Sequence, residues 1–215
     1  MMNILSERNV RWIGDLSLED AEVLATYSMK AAQILEFGAG GSTQIFAQCI
    51  KQRSTSRVIS VETDPAWITL TQSRINELKA ITPVQFISYE EIETVTKDLK
   101  FDLILVDGID YLRREFGINS WKLLADDGVM VFHDTRRFPD FQNAAWVAQL
   151  YFNEIKQIEV NVAANSNGKA SNITIIHKKL AAPYVNWNYT ENKPLWSYGM
   201  PGQPTDQQLW SLNNA

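Results

Sequence analysis

Ile34-Leu-Glu-Phe-Gly-Ala-Gly-Gly-Ser-Thr43 is the stretch that orders the reading of this 215-residue chain. A short apolar run carrying one carboxylate, Glu36, breaks into Gly38, Gly40 and Gly41. A helix-compatible segment, residues 43–52, follows at once. A strand that runs through a glycine turn into a helix lets backbone approach a ligand closely, because glycine has no Cβ and accepts unusual dihedrals. The helix start adds free N–H groups and a partial positive charge. Such an element holds a nucleotide-like cofactor; the plainer reading is a tight turn and nothing more.

Outward from this turn, strands and helices alternate. Upstream, Ser17-Leu-Glu-Asp20 reads as a capping box opening a helix that carries Ala21, Leu24, Tyr27 and Ala31 at helical spacing. Downstream, residues 57–62 are β-branched and end in a second carboxylate, Glu62. Asp64-Pro65 starts another helix, with Asp as cap and Pro in the first turn. Residues 83–88 form a third strand and residues 90–97 a short helix. Residues 101–106 are nearly all apolar, as in a strand buried on both faces of a parallel sheet, and end at Asp107-Gly108. After a helix over residues 112–125, Asp127-Gly128 turns into a fifth strand, residues 129–132, which ends at His133-Asp134. A last helix spans residues 141–151. Then residues 155–162 and 171–176 form two strands with no helix between them, so they pair antiparallel through the Asn-Gly turn. The alternation specifies an α/β, doubly wound sheet with right-handed crossovers and helices on both faces.

Residues 1–179 read as one domain, with 1–32 as an N-terminal helical extension. Residues 180–215 hold four prolines and three tryptophans and read as an irregular tail packed on the domain by Trp187, Trp196 and Trp210. A homodimer contact through the tail's aromatics is a second use for them. A net charge of −5 and a pI near 5.1 argue against nucleic-acid binding by phosphate neutralisation. A single cysteine, Cys49, rules out an internal disulfide and reads as a small buried hydrophobe. With no signal-like apolar start and no membrane-length apolar window, the expected location is the cytoplasm.

Ligands of open α/β sheets bind beyond the carboxyl ends of the strands. There this sequence places Glu36 and the glycines, Glu62, Ser88-Tyr89-Glu90, Asp107-Gly108-Ile109-Asp110 and His133-Asp134-Thr135. The glycine pattern breaks the dinucleotide fingerprint at its sixth place, where Thr43 stands for glycine. That disfavours an NAD-dependent oxidoreductase. Glu62 suits the two hydroxyls of a ribose in either an NAD or an adenosine cofactor.

Together, Glu36-Phe-Gly38-Ala-Gly40-Gly41-Ser42-Thr43, Val61-Glu62-Thr-Asp64, residues 101–108 and residues 123–134 resemble the class I S-adenosylmethionine-dependent methyltransferases. The resemblance spans about residues 16–178. It implies a seven-stranded, mostly parallel sheet of order 3-2-1-4-5-7-6 with the last strand antiparallel. It also implies S-adenosylmethionine as cofactor, with Gly38 and Gly40 against its methionine part and Glu36, Gly41 and Ser42 as further cofactor-binding residues. Glu62 would hold the ribose, Tyr89 and Glu90 lie near adenine, and Asp107 borders the sulfonium. The subgroup it looks most similar to comprises small-molecule and sugar O-methyltransferases with a Val-Asp-Gly strand end. The acceptor is therefore expected to be a small molecule or sugar, with a catalytically silent cofactor-binding protein as the alternative.

Members of that broad group often bind a divalent metal, which makes Asp107 and Asp134 the candidate ligands for magnesium. The other reading is that Asp134 caps the following loop. This chain departs from the group's pattern at Asp110, where histidine is common, and at Thr135, where catechol-type enzymes carry asparagine. His133 is a candidate general base, in competition with Asp107 and Asp110. Arg113, Arg114, Arg136 and Arg137 flank the two loops and are candidates to clamp an anionic acceptor.

Overall fold

The computed structural model describes residues 14, 16–80 and 82–179, together with the backbone of 186–189. Helix α1 (Leu18–Ser28) starts at the expected capping box: Ser17 Oγ accepts from Asp20 N, and the Asp20 carboxylate accepts from Ser17 N. Strand β1 (Gln33–Phe37) leads through the glycine turn into α2 (Gly41–Cys49), which starts earlier than expected because Gly40, not a side chain, forms its N-cap. There follow β2 (Arg57–Val61), α3 (Pro65–Glu77), β3 (Val84–Ile87), a 3-10 turn and the short α4 (Ile92–Thr96). Asp64 caps α3 by accepting from Ala66 N at 2.8 Å. Then come β4 (Phe101–Val106), α5 (Arg113–Ser120), β5 (Leu124–Phe132), α6 (Phe138–Leu150), β6 (Ile155–Val160), β7 (Thr174–Lys178) and β8 (Asn186–Tyr189).

One sheet holds all eight strands, in the order β3-β2-β1-β4-β5-β7-β6-β8. The central strands pair in parallel, and β7 runs antiparallel to both β5 and β6. The seven-strand order is the expected one. An eighth strand was not anticipated: four residues assigned to an irregular tail add to β6 in parallel. Their backbone supplies ladder hydrogen bonds to an otherwise open edge. The side chains of Trp187, Trp196 and Trp210, on which the packed-tail reading depends, lie outside the described residues.

Asp127-Gly128 also differs from expectation. It does not precede β5 but lies within it, with Asp127 at φ +59°, and the register against β4 shifts between Phe101 and Leu103. The fifth strand thus reaches back to Leu124 over a bulge.

Side chains of the central strands alternate between two cores. Ile34, Leu103, Leu105, Val129 and Val131 pack with Leu24, Ile45 and Phe46 of α1 and α2. Leu35, Phe37, Ile104, Val106 and Phe132 pack with Phe116, Phe141 and Val147 of α5 and α6. This period of two also sets the direction of the polar residues at the strand ends. Glu36, Asp107 and His133 continue the parity that faces α1 and α2. No helix among the described residues is long and apolar enough to cross a membrane.

Candidate functional site

Glu36 is fully buried beneath the start of α2, opposite Ser60 in the β1–β2 register. Thr43 Oγ1 and Ser60 Oγ donate to it at 2.7 and 2.8 Å, and Ser42 Oγ donates to its other oxygen. Thr43 Oγ1 also accepts from Gly40 N at 2.8 Å, so one hydroxyl ties the turn to the strand beneath it. Burial pushes the Glu36 carboxyl up to about 7, against the lowering effect of the three hydroxyls. Gly38 sits at φ +93°, against the end of β4. There Phe37 O accepts from both Asp107 N (3.1 Å) and Gly108 N (2.8 Å).

Across the turn, β4 and β5 end in a charged cluster. Arg113, on the first turn of α5, is 5% exposed and donates to Asp107 Oδ1 (2.9 Å), Asp140 Oδ1 (2.6 Å) and Gly108 O (3.2 Å). It also lies 3.4 Å from Asp134 Oδ2 and 3.0 Å from Asp110 Oδ1. Arg137 donates to Asp134 Oδ2 at 2.5 Å and pairs with Asp140 at 2.9 Å. The remaining oxygens of Asp107 and Asp134 face His133: Nδ1 is 3.3 Å from Asp107 Oδ2 and 3.7 Å from Asp134 Oδ1. The approach to Asp107 lacks the alignment of a hydrogen bond, and Nδ1 is buried with no hydrogen-bond partner among the described residues. On the other side of the ring, Nε2 is 3.4 Å from Asp20 Oδ2. Burial alone would lower the His133 pKa, but Asp107, Asp20 and Asp134 around it hold it well above the usual imidazole range. Burial would raise Asp107, yet His133, Arg113 and Arg137 keep it below the usual carboxylate range.

Two cavities open at this end of the sheet. A small one of about 170 Å³ is lined by Ala39–Ser42 of the turn, Trp67, Asp107, Arg113, His133 and Asp134, with Gly14 and Leu16 at its edge. Trp67 Nε1 donates to Ala39 O, so the α3 indole braces the turn from outside. A larger cavity of about 960 Å³ lies between α4 and α5, with Phe37, Tyr89, Glu90, Leu112 and Phe116 among its lining residues. Its aromatic side is a stack, Phe116 lying 4.6 Å from Phe37 and 5.1 Å from Tyr89 between ring centroids. Glu62 stands beside the turn, its Oε2 3.4 Å from Ala39 N and its Oε1 accepting from Thr63 N and Asp64 N.

Residues 35–135, from β1 through the glycine turn to the end of the His133-Asp134-Thr135 loop, match the family described as methyltransferase domain. The match thus takes in most of β1, all of β2 to β5, and the polar residues at their ends. Solved structures share its fold. One is an O-methyltransferase from Bacillus cereus in complex with SAH (TM-score 0.60, 19% identity, 76% of this chain and 83% of that one). A second is the O-methyltransferase TomG from Streptomyces achromogenes, involved in tomaymycin synthesis, in complex with SAM (TM-score 0.60, 14% identity, 77% and 82%). A third is the SAH-bound methyltransferase PaMTH1 from Podospora anserina (TM-score 0.54, 17% identity, 77% and 80%). No curated protein sequence matches this chain.

The strand-end residues do not all reach one place. Gly40, Gly41, Ser42, Asp107, His133 and Asp134 line the small cavity, and Tyr89 and Glu90 the larger one. Glu36 is corrected from a cavity-facing residue to a support: the β1 parity turns it under α2, where hydroxyls take up its oxygens. Asp110 is mostly exposed, at 72% of its side chain, and paired with Arg113. Arg113 and Arg137 are not free to clamp an anion, because carboxylates of their own chain already engage them. Thr135 is buried and bonded to Asn172 O and Thr174 Oγ1, away from the cavity. His177 lies on β7, half-buried against Glu159 at 2.5 Å and away from the cavity.

Sequence reasoning missed Asp20, Asp140 and Trp67 as parts of the candidate site. Asp20 read only as a helix cap, although a fully buried cap carboxylate has capacity left for a second task. Asp140, just before the expected start of the last helix, carried no signal. Trp67 could have been found: three residues after the Asp64 cap, it falls on the first turn of a helix that starts beside the cofactor turn.

Proposed function

We propose that this methyltransferase moves the methyl group of S-adenosylmethionine to a hydroxyl oxygen of a small-molecule or sugar-like acceptor. The observation that supports this reading is the small cavity, where the glycine turn faces Asp107, His133 and Asp134 across a space closed by Trp67. The donor's methionine part lies along Gly38–Ser42, with Glu62 at its ribose and Tyr89 and Glu90 toward its adenine. The acceptor oxygen then approaches from the carboxylate side. The O–CH3 bond forms as the S–CH3 bond breaks, the bonding pair remains on sulfur, and the hydroxyl proton leaves toward the carboxylates.

None of the three candidate bases is well tuned for that proton. Asp110 faces solvent, His133 and the arginines keep Asp107 below the usual carboxylate range, and the carboxylates around His133 keep it well above the usual imidazole range. What the site must supply is a more acidic acceptor hydroxyl. Asp107 and Asp134 fit a divalent cation: with His133 they offer three donor atoms within 4.8 Å of one another, and one oxygen of each carboxylate remains outside the arginine contacts. Such a cation, when bound, lowers the pKa of a coordinated hydroxyl. The arginines meanwhile fix the outer carboxylate oxygens and so orient the inner ones.

Isothermal titration with S-adenosylmethionine and with S-adenosylhomocysteine tests the cofactor reading, which an absence of binding at millimolar concentration overturns. A panel of hydroxylated acceptors, followed by S-adenosylhomocysteine release, tests the transfer. Tight binding without turnover across that panel would favour the silent cofactor-binding protein.

A further inference from the structure

Asp107 and Asp134 alone are hard oxygen ligands with no preference against magnesium. A buried imidazole nitrogen beside them changes the chemistry of the site. We infer that His133 Nδ1 is the third protein ligand of the cation, held in that role by Asp20, and that the site takes Mn²⁺, Co²⁺ or Zn²⁺ in preference to Mg²⁺. This rests on the cation reading of Asp107 and Asp134.

His133 is 7% exposed, and its Nδ1 is the one ring nitrogen without a hydrogen-bond partner among the described residues. It points into the gap between the two carboxylates, 3.3 Å from one and 3.7 Å from the other. The opposite nitrogen, Nε2, meets Asp20, and Asp20 is itself held rigidly. Ser17 Oγ and Asn172 N each donate to it at 2.6 Å, and Asn172 Nδ2 at 3.3 Å. A carboxylate acceptor at Nε2 keeps a hydrogen there, so a cation entering the cluster would displace the hydrogen on Nδ1 and take up its lone pair. Metal-bound histidines are commonly oriented and made more basic by a carboxylate in this way.

The outer carboxylate oxygens are equally constrained. Arg113 holds Asp107 Oδ1, and Arg137 holds Asp134 Oδ2, so the oxygens left over are the two that face His133. Thr135, which follows Asp134, cannot serve as the third ligand because it is buried in its own hydrogen bonds. A mixed nitrogen–oxygen set suits first-row transition metals better than an all-oxygen set does, whereas magnesium favours carboxylate, carbonyl and water. Three protein ligands also leave positions open for an acceptor oxygen.

The test uses the full chain and Mn²⁺ alone, with bound metal counted by electron paramagnetic resonance and its ligands read by electron spin-echo envelope modulation. The expected wild-type result is a ¹⁴N coupling from one imidazole, and calorimetric affinity for Mn²⁺ at least about tenfold tighter than for Mg²⁺. His133→Asn should abolish the coupling. Asp20→Asn, which keeps the ring but loosens its orientation, should weaken Mn²⁺ binding by about 10–100-fold, with thermal melts confirming that the variant is folded. Mn²⁺ that binds wild type without ¹⁴N coupling, and is lost in Asp134→Asn, overturns the role of His133 while leaving the carboxylate site standing. No binding of any divalent cation by wild type overturns the carboxylate site itself and the inference with it.

Discussion

Gly38 and Gly108 meet backbone to backbone where β1 and β4 end: a Cβ built on Gly38 would fall 2.6 Å from both Cα and N of Gly108. Gly38 also has a φ of +93°, which side-chain-bearing residues rarely adopt. Gly38→Ala therefore meets strain and overlap together. The expected cost is about 2–5 kcal/mol in urea unfolding, with cofactor binding weakened in step because the same backbone shapes the turn. A Gly38→Ala protein with unchanged stability and S-adenosylmethionine affinity would show that the turn yields freely.

Glu36 makes stability depend on pH. An ordinary glutamate titrates near 4.5, whereas Glu36 in the fold titrates near 7. Between those values the folded protein keeps a proton that the unfolded chain has released. Stability therefore falls as pH rises through that window and levels off above it, a difference of about 3 kcal/mol in all. Glu36→Gln should flatten the profile between pH 4.5 and 7 relative to wild type, as measured by chemical denaturation at fixed temperature. Parallel profiles for the two proteins would contradict the assignment.

Arg113 compensates Asp107, Asp134 and Asp140 from an almost fully buried position. Arg113→Ala leaves these carboxylates facing one another without it and should cost about 3–5 kcal/mol. Arg113→Lys keeps the charge but loses the fork that spans several carboxylates at once, and should fall between the two. Equal stability of the alanine and lysine variants would mean that geometry, not charge, sets the cost.

Trp67 reports on the turn as well as bracing it. Trp67→Phe removes the donor to Ala39 O and frees the turn to shift. A hydrogen bond of about 0.5–1.5 kcal/mol corresponds to roughly 2–10-fold in S-adenosylmethionine affinity. In wild type, the Trp67 emission should change on cofactor binding, because the indole lines the small cavity. Calorimetry checks the first expectation and fluorescence titration the second.

Most of the frame was legible along the chain. β4 has the expected ends, Phe101 and Val106, and α3 begins at the Asp64-Pro65 signal. The hidden parts have local physical reasons. The bulge at Asp127 looked like a turn because Asp-Gly favours positive φ whether or not a strand continues past it. β8 does alternate polar and aromatic residues, Asn186-Trp-Asn-Tyr189, but over only four positions in a proline-rich stretch, too short a run to stand out as a strand.

The amino-acid sequence by itself determined the strand–glycine turn–helix element and the polar ends of the strands, because backbone freedom, capping and periodicity act over a few neighbouring residues. That Glu36, Asp107 and His133 share a face follows from the registers of β1, β4 and β5, which only the structure supplies. Only the tertiary structure decided what that face meets. Asp20 lies 113 positions from the His133 ring it holds, and Arg113 lies 27 positions from Asp140. No local pattern links such residues. They come together because burying the sheet between two helical layers leaves α1 beside β5, and because buried charges persist only where opposite charges or donors meet them. That packing makes Glu36 a support, takes up the arginines internally, and turns one bare nitrogen of His133 toward two carboxylates.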